Sequence, residues 1–330
     1  MAYRLRWKRK RLLLRAWRKR KQISVLKDNT DRIAPNSILA AMTVRNEMVR
    51  LPYFMDYYRK LGVSHFLIVD NDSTDGTDDY LSKQPDVSLW TTQHGYRLSR
   101  FGLDWLTWIM RKHAHGHWCL TLDADELLVY TGFPNRGLQT LTADLEDQGE
   151  RMLGALMLDM YPKGNLGAQT YDSDSDPLSI LGWFDAQGYR VQVQPKMRNL
   201  WIQGGVRERV FFKDDPRRAP TLNKIPLVKW HRSYVYVNST HALLPRKLNR
   251  VYAEPDRSPP KAVLLHTKFL PNIIEKSEEE LIRRQHFANS ALYEDYYATL
   301  IEDVDLWCPD SVAYEGWEQL EELGFLSDGR

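Results

Sequence analysis

Short apolar runs ending on acidic or amide side chains alternate with stretches of helical spacing through the first 130 residues of this 330-residue chain. Ser37 to Val44 reads as a buried strand. Glu47 to Leu61 follows as a helix, with Met48, Leu51, Phe54, Tyr58 and Leu61 on one face, Pro52 near its start and Gly62 as its stop. His65 to Val69 is a second apolar run and ends at Asp70. Thr77 to Lys83 reads as helix, Val87 to Trp90 as strand, Gly102 to Lys112 as helix, and Trp118 to Leu122 as a strand ending on Asp123. Strands this short joined by helices predict an α/β fold: a mainly parallel, Rossmann-type sheet flanked by helices. In such sheets ligands bind outside the carboxyl ends of the strands. Three strand ends here are polar: Thr43-Val-Arg-Asn-Glu47, Asp70-Asn-Asp72 and Asp123-Ala-Asp-Glu126.

The third end carries the sharpest chemistry. A carboxylate at the end of a buried strand, with a second one two residues on, can hold a divalent cation such as Mn or Mg, which bridges pyrophosphate oxygens. Asp123 and Asp125 are therefore the candidate metal ligands. Asp172-Ser-Asp-Ser-Asp176 repeats the spacing, but no apolar strand precedes it, so it reads as solvated loop. His113, His115 and His117 alternate without a second cluster and read the same way.

Beyond Gly132 the pattern is less regular. Leu138 to Gln148 is an expected helix, Met152 to Met160 an expected strand, and 161–182 a long polar loop. Tyr234 to Val237 and Ala262 to His266 are further strand candidates. A helix is expected from Ser277 to about Ala288, with Glu278, Glu279 and Glu280 in its first turn where the dipole favours acids. The expected organisation is a basic tail over 1–27, a linker over 28–36, a catalytic domain over 37–270 and a C-terminal helical segment over 271–330.

Charge is segregated. Residues 1–21 hold eleven Lys or Arg and no acid, leaving 35 basic against 43 acidic residues in the body. On a helical wheel Tyr3, Trp7, Leu14 and Trp17 share one side, with Leu13 beside them and Lys10 interrupting. Such a segment suits an anionic membrane surface or a solvated tail; RNA binding is a weaker reading. Two cysteines make neither a disulfide framework nor a metal cluster and fit a reducing cytoplasm. No stretch approaches the roughly 18 apolar residues of a membrane span, and no signal-peptide core is visible. A cytoplasmic protein, peripheral at the inner membrane face, is the expected location. The eleven Trp and seventeen Tyr include candidates for lining a carbohydrate groove, though core packing accounts for most.

The order of these pieces resembles glycosyltransferase family 2 and its relatives of the GT-A fold, most clearly over residues 37–130. Met42-Thr-Val-Arg-Asn-Glu47 is similar to the opening strand and turn. Val69-Asp-Asn-Asp-Ser-Thr-Asp-Gly-Thr77 is similar to the nucleotide-binding turn, with Asn71 in its second acidic place and Asp72 in its glycine place. Leu120-Thr-Leu-Asp-Ala-Asp-Glu126 is similar to the metal triplet of a bacterial subgroup with an Asp-x-Asp-Glu signature. Gly204-Gly-Val-Arg-Glu-Arg-Val210, Lys224 to Trp230, Ser239-Thr-His241 and Leu264 to Phe269 resemble later landmarks of that subgroup.

The resemblance implies a metal-dependent, inverting glycosyltransferase that takes a nucleotide-sugar donor, and the basic tail is what points to a glycan or glycolipid acceptor. The resemblance implies donor contacts at Thr43, Arg45, Glu47, Asp70, Asn71, Asp72 and Arg100, with Arg97 in the same loop. It also implies Glu208 as general base, with Asp159 next in line, and His266 as a third metal ligand, with His241 competing. Lys224, Lys229 and Lys268 are candidates to neutralise diphosphate. A nucleotidyltransferase is the alternative enzyme, although Thr43 to Glu47 lacks the Gly-rich basic loop it would need. A non-catalytic, membrane-associated binding protein of the same fold is the other alternative. Nucleic acid is not an expected partner.

Overall fold

The computed structural model describes residues 2–252, 259–283 and 294–329. The chain opens with α1 (Ala2–Lys19) and β1 (Ser24–Lys27), then alternates β2 (Leu39–Val44), α2 (Leu51–Leu61), β3 (His65–Asp70), α3 (Thr77–Lys83), β4 (Val87–Thr91), α4 (Leu103–His113) and β5 (Trp118–Thr121). Next come β6 (Glu126–Val129), α5 (Leu138–Asp147), β7 (Met152–Asp159), β8 (Trp183–Asp185), the hairpin of β9 (Arg190–Gln194) and β10 (Asn199–Gln203), α6 (Gly205–Phe211) and β11 (Asn223–Lys229). The pair β12 (Val235–Tyr236) and β13 (Leu243–Leu244), β14 (Lys261–His266), α7 (Ile273–Arg283), α8 (Glu294–Ile301), β15 (Ser311–Ala313) and α9 (Trp317–Glu322) complete it.

Nine strands form the central sheet in the order β1-β4-β3-β2-β5-β11-β7-β14-β6. Strands β4, β3, β2, β5, β7 and β14 run one way, and β1, β11 and β6 run against them. The expected α/β class is what forms, with a mixed, mainly parallel sheet.

Alternation along the strands builds the two faces. Ala40, Met42, Phe66 and Ile68 face a core completed by Phe54 and Tyr58 of α2, Leu81 of α3 and Leu141 and Leu145 of α5. Leu39, Ala41, Leu67 and Val69 face the opposite core, filled by Trp105, Leu106, Ile109 and Met110 of α4.

The expected elements before residue 160 form within two residues of their predicted ends at most positions; α2 starts later, at Leu51, because Glu47 to Arg50 makes a turn. α7 begins at Ile273, four residues earlier than expected, so Glu275 lies in its first turn and Glu278 and Glu279 sit further along; residues 284–288 of that expected helix lie outside the described residues. Residues 2–27, read as a tail, contain α1 packed on α4 and the edge strand β1. The 271–330 segment is not purely helical, since β15 pairs with β8.

Candidate active site

The carboxyl edge of the sheet gathers its charged residues by register. β5 ends into a tight turn in which the Glu126 amide donates to the Asp123 carbonyl at 3.2 Å, and β6 then runs back beside β14. That pairing sets His266 opposite Glu126, while the β14–β7 pairing sets His266 beside Asp159. One row of the sheet thus presents Glu126, His266 and Asp159. The Asp125 backbone is tied down as well, its carbonyl accepting from the Thr267 amide at 2.7 Å and hydroxyl at 3.1 Å.

The side chains form a continuous charged chain. His266 places Nε2 3.2 Å from Asp125 Oδ2 and Nδ1 2.6 Å from Asp159 Oδ1, and Arg207 Nε donates to Asp159 Oδ2 at 2.7 Å. Burial opposes charge on all of them. Even so, Asp125 and Asp159 lift the His266 imidazole above its ordinary value. His266, Arg50 and Lys268 hold the Asp125 carboxyl well below the carboxylate range, and Arg207 and His266 do the same, less strongly, for Asp159. Beside this chain, Lys224 from β11 holds its ammonium 3.0 Å from Asp123 and in contact with Glu126. Glu126 is fully buried, and desolvation pushes its carboxyl up to about 7 despite Lys224.

Carboxylate oxygens of Asp123, Asp125 and Glu126 lie within 4.8 Å of one another, a spacing one divalent cation can span. Glu126 is committed to Lys224 beneath the surface. Asp123, 53% exposed at its side chain, Asp125 and His266 all line the adjoining cleft. Asp123 and Asp125 present the cleft side of that cluster, and the His266 imidazole, beside Asp125, adds a nitrogen donor next to them, so the ligand types a Mn-like ion takes are gathered here.

The cleft encloses about 750 Å³ and is lined by eight Lys or Arg side chains against four carboxylates. An acidic body therefore carries a cationic cavity, which suits a polyanionic ligand. Its carboxylates are all paired: Glu47 with Arg50 at 3.2 Å and Lys276 at 2.7 Å, Asp123 with Lys224, Asp125 with His266, and Glu279 with Arg45 at 3.5 Å. Thr43 Oγ1, Arg50 Nε and Arg207 Nη2, from residues that line the cleft, are buried without a hydrogen-bond partner. Orphaned donors of this kind mark positions where a bound oxygen would be satisfied. Lys268, which also lines the cleft, is brought down to about 8 by burial and by Arg207.

The structure brings some of the expected residues together and leaves others out. Thr43, Arg45, Glu47, Asn71, Asp123, Asp125 and His266 line the cleft. Arg45 donates to the carbonyls of Asn71 at 2.8 Å and Asp72 at 2.7 Å, and Asn71 donates to those of Thr92 and His94, both at 3.0 Å, so the two lock neighbouring strand ends together. Asp70 and Asp72 do not line it. Asp70 is buried and accepts from the Ser73 amide and hydroxyl, which makes it a turn residue; Asp72 is exposed, with φ +62° where glycine was expected.

Arg100 is also outside the cleft, bound to buried Asp104 at 2.7 Å and to the Tyr236 carbonyl at 2.8 Å. Lys229 pairs with Glu146 at 2.7 Å at the other end of β11. Asp176 of the polar loop caps a short turn, accepting from the Leu178 amide at 2.9 Å, and the whole Asp172–Asp176 run lies outside the cleft.

Glu208 requires the clearest correction. It does not line the cleft; its two oxygens accept from Arg190 at 3.1 and 2.7 Å. α6 turns Arg207, one residue earlier, toward Asp159 and the cleft instead, a helix rotation that the Gly-Gly likeness did not specify. His241 does line the cleft, but its Nδ1 is 2.6 Å from the Asn223 carbonyl, and burial and Lys224 lower its imidazole to about 4.

Several cleft residues carried no sequence signal of their own. Arg50 ends the turn before α2, Trp201 lies on β10, Lys276 and Glu279 on α7 and Tyr297 on α8, so the C-terminal segment supplies one wall. Tyr96, half-buried near Asp123 and Asp125, supplies another part.

No family model and no curated protein matches the chain. Among solved structures, a mannosyltransferase from Pyrobaculum calidifontis, determined in complex with GDP-Man and Mn2+, aligns with 49% of this chain at 20% identity and a TM-score of 0.25. The alignment covers 46% of that protein, so this chain spans less than half its length. A likeness at that level bears on neither ligand nor activity.

Proposed function

We propose that this chain is a glycosyltransferase that takes a sugar from a nucleotide-sugar donor. One observation carries the reading: a cationic cleft at the carboxyl edge of a mainly parallel sheet, with Asp123, Asp125 and His266 at its floor. The nucleoside diphosphate is the polyanion that such a cleft suits. Asp123, Asp125 and His266 would hold a divalent cation, Mn or Mg, whose chemistry there is neutralisation of charge on the diphosphate leaving group. Around it, Arg207, Lys224 and Lys268 add fixed positive charge, and the orphaned Arg50 and Thr43 donors offer hydrogen bonds to oxygen. Trp201, Tyr96 and Phe101 give the same cleft apolar faces on which a sugar ring can pack. The family resemblance of the motifs implies inversion at the anomeric carbon, and the basic N-terminal segment is the feature that favours a glycan or glycolipid acceptor.

Thermal shift with UDP-, GDP- and CMP-sugars, each with and without Mn or Mg, tests this reading. One donor should raise Tm only with metal, and that donor should be slowly hydrolysed in the absence of an acceptor. No metal-dependent shift with any donor would overturn it.

A further inference from the structure

The surface of α1 is divided into three rows, each with residues alternately four and three apart, the spacing that keeps side chains on one face of a helix. The first row, Leu5, Arg9, Leu12 and Ala16, turns inward: Leu5 and Ala16 are buried, and Leu5 packs with Val235 and Leu244, against which Leu12, Leu13 and Met197 also rest. A second row, Arg4, Lys8, Arg11, Arg15 and Arg18, is wholly basic. The third, Tyr3, Trp7, Lys10, Leu14 and Trp17, lies nearly opposite the first and points into solvent, with Trp7 53% and Trp17 47% exposed. The helix therefore has two apolar faces, and the fold buries only one. No acidic residue interrupts Ala2–Lys19.

Docking of the helix is specific, and Arg15 of the basic row takes part in it. Arg15 Nε lies 2.6 Å from Asp104, a fully buried carboxylate of α4, and Arg15 also donates to the Leu98 carbonyl at 2.5 Å. Just after α1, the Gln22 side chain accepts from the Trp105 indole at 3.1 Å. The outward row is thus held on a rigid body. It also stands behind the cleft, because Leu5 packs on Val235 and the same segment continues to Asn238 and Ser239 in the cleft wall.

We propose that the outward face of α1 docks on an anionic phospholipid surface and holds the cleft beside the bilayer. Charge complementarity selects this occupant: a belt of Arg and Lys borders a strip of two Trp, one Tyr and one Leu, the arrangement that sits at a headgroup boundary with rings in the interface and cations on phosphate. A nucleic acid would engage the basic row but leaves Leu14 in water. The proposal does not depend on the enzymatic reading, and it adds to that reading a reason for the acceptor to be lipid-linked.

Sedimentation of the full-length protein with vesicles tests it. The protein should pellet with phosphatidylcholine–phosphatidylserine vesicles and not with phosphatidylcholine alone, and raising salt should release it. Trp7→Ala combined with Trp17→Ala should weaken binding by about tenfold or more while leaving Tm unchanged, because both rings lie outside the packed face. Arg4→Glu with Arg11→Glu should abolish it. Equal binding to both vesicle types, wild-type binding by the double Trp variant, or salt-sensitive binding of single-stranded RNA with no vesicle binding would each overturn the proposal.

Discussion

His266 Nδ1 lies 2.6 Å from Asp159 Oδ1, while its other nitrogen faces Asp125. Two neighbouring parallel strands, β14 and β7, create this contact by pairing His266 with Asp159 in register. A carboxylate on one imidazole nitrogen fixes the ring's orientation and tautomer, so that the second nitrogen is presented to whatever sits beside Asp125. Asp159 is thereby a positioning residue for His266.

Asp159→Asn is expected to weaken Mn2+ binding by about tenfold or more, read by electron paramagnetic resonance of the free ion. His266→Ala should weaken it too. In the His266→Ala background, Asp159→Asn should add little, because its effect passes through the imidazole. Full additivity of the two changes would show that Asp159 acts on the ion by another route.

Glu208→Gln separates the ion-pair role from the base role. With both carboxylate oxygens held by Arg190 and the residue outside the cleft, the expected result is turnover close to wild type and a stability loss of about 1 kcal/mol or less. A fall in kcat of roughly 100-fold with unchanged donor affinity would instead restore Glu208 as the base.

Gly204 sets where α6 begins. Its φ is +139°, and a Cβ there would lie 2.2 Å from the Gly188 carbonyl oxygen and 2.8 Å from the Tyr189 Cα, both backbone atoms that cannot step aside. Gly204→Ala should therefore cost roughly 2–4 kcal/mol in urea denaturation. It should also weaken donor binding by shifting Arg207. Gly205→Ala meets only the Tyr189 side chain, its hydroxyl at 3.1 Å, and should cost less even though its φ is also positive. Equal costs at the two positions would contradict this account.

What the sequence made legible followed from local patterns. β2 to β5 are continuous apolar runs with helices between them, so their order and their polar ends could be read directly, and Asp123 and Asp125 with them. β11 is not among the expected strands, and Pro226 sits inside it. The ladder accommodates that proline where the β11–β7 register shifts between Lys224 and Leu227. β6 was hidden by its shortness and by Glu126, a charged residue buried only because Lys224 meets it from a strand distant in sequence. Glu208 and Arg207 show the same limit at one residue's resolution. A motif locates the helix, but its rotation is set by Asp159 and Arg190, which no local pattern connects to it. Arg100 was placed near the nucleotide by its position before β5; the buried Asp104, one helical turn on, claims it instead.

His241 gives the fold an acid-sensitive point. In the folded chain its imidazole stays neutral to about 4, held down by burial and by Lys224, whereas an unfolded histidine takes up its proton near its ordinary value of about 6.5. Between those values the unfolded state binds more protons than the folded one, so stability must fall as pH falls through that window. It should be unaffected by this group above about pH 7. The full effect is on the order of 3 kcal/mol. His241→Gln can keep a donor for the Asn223 carbonyl and cannot titrate. Urea denaturation of both proteins from pH 7.5 to pH 4 should show wild type losing stability relative to the variant progressively below about pH 6.5. The gap should stop widening near pH 4, where the folded imidazole also takes up its proton. A gap that does not change with pH would mean that the His241 imidazole takes up its proton equally readily in the folded and unfolded chains, so that burial and Lys224 do not disfavour its charge.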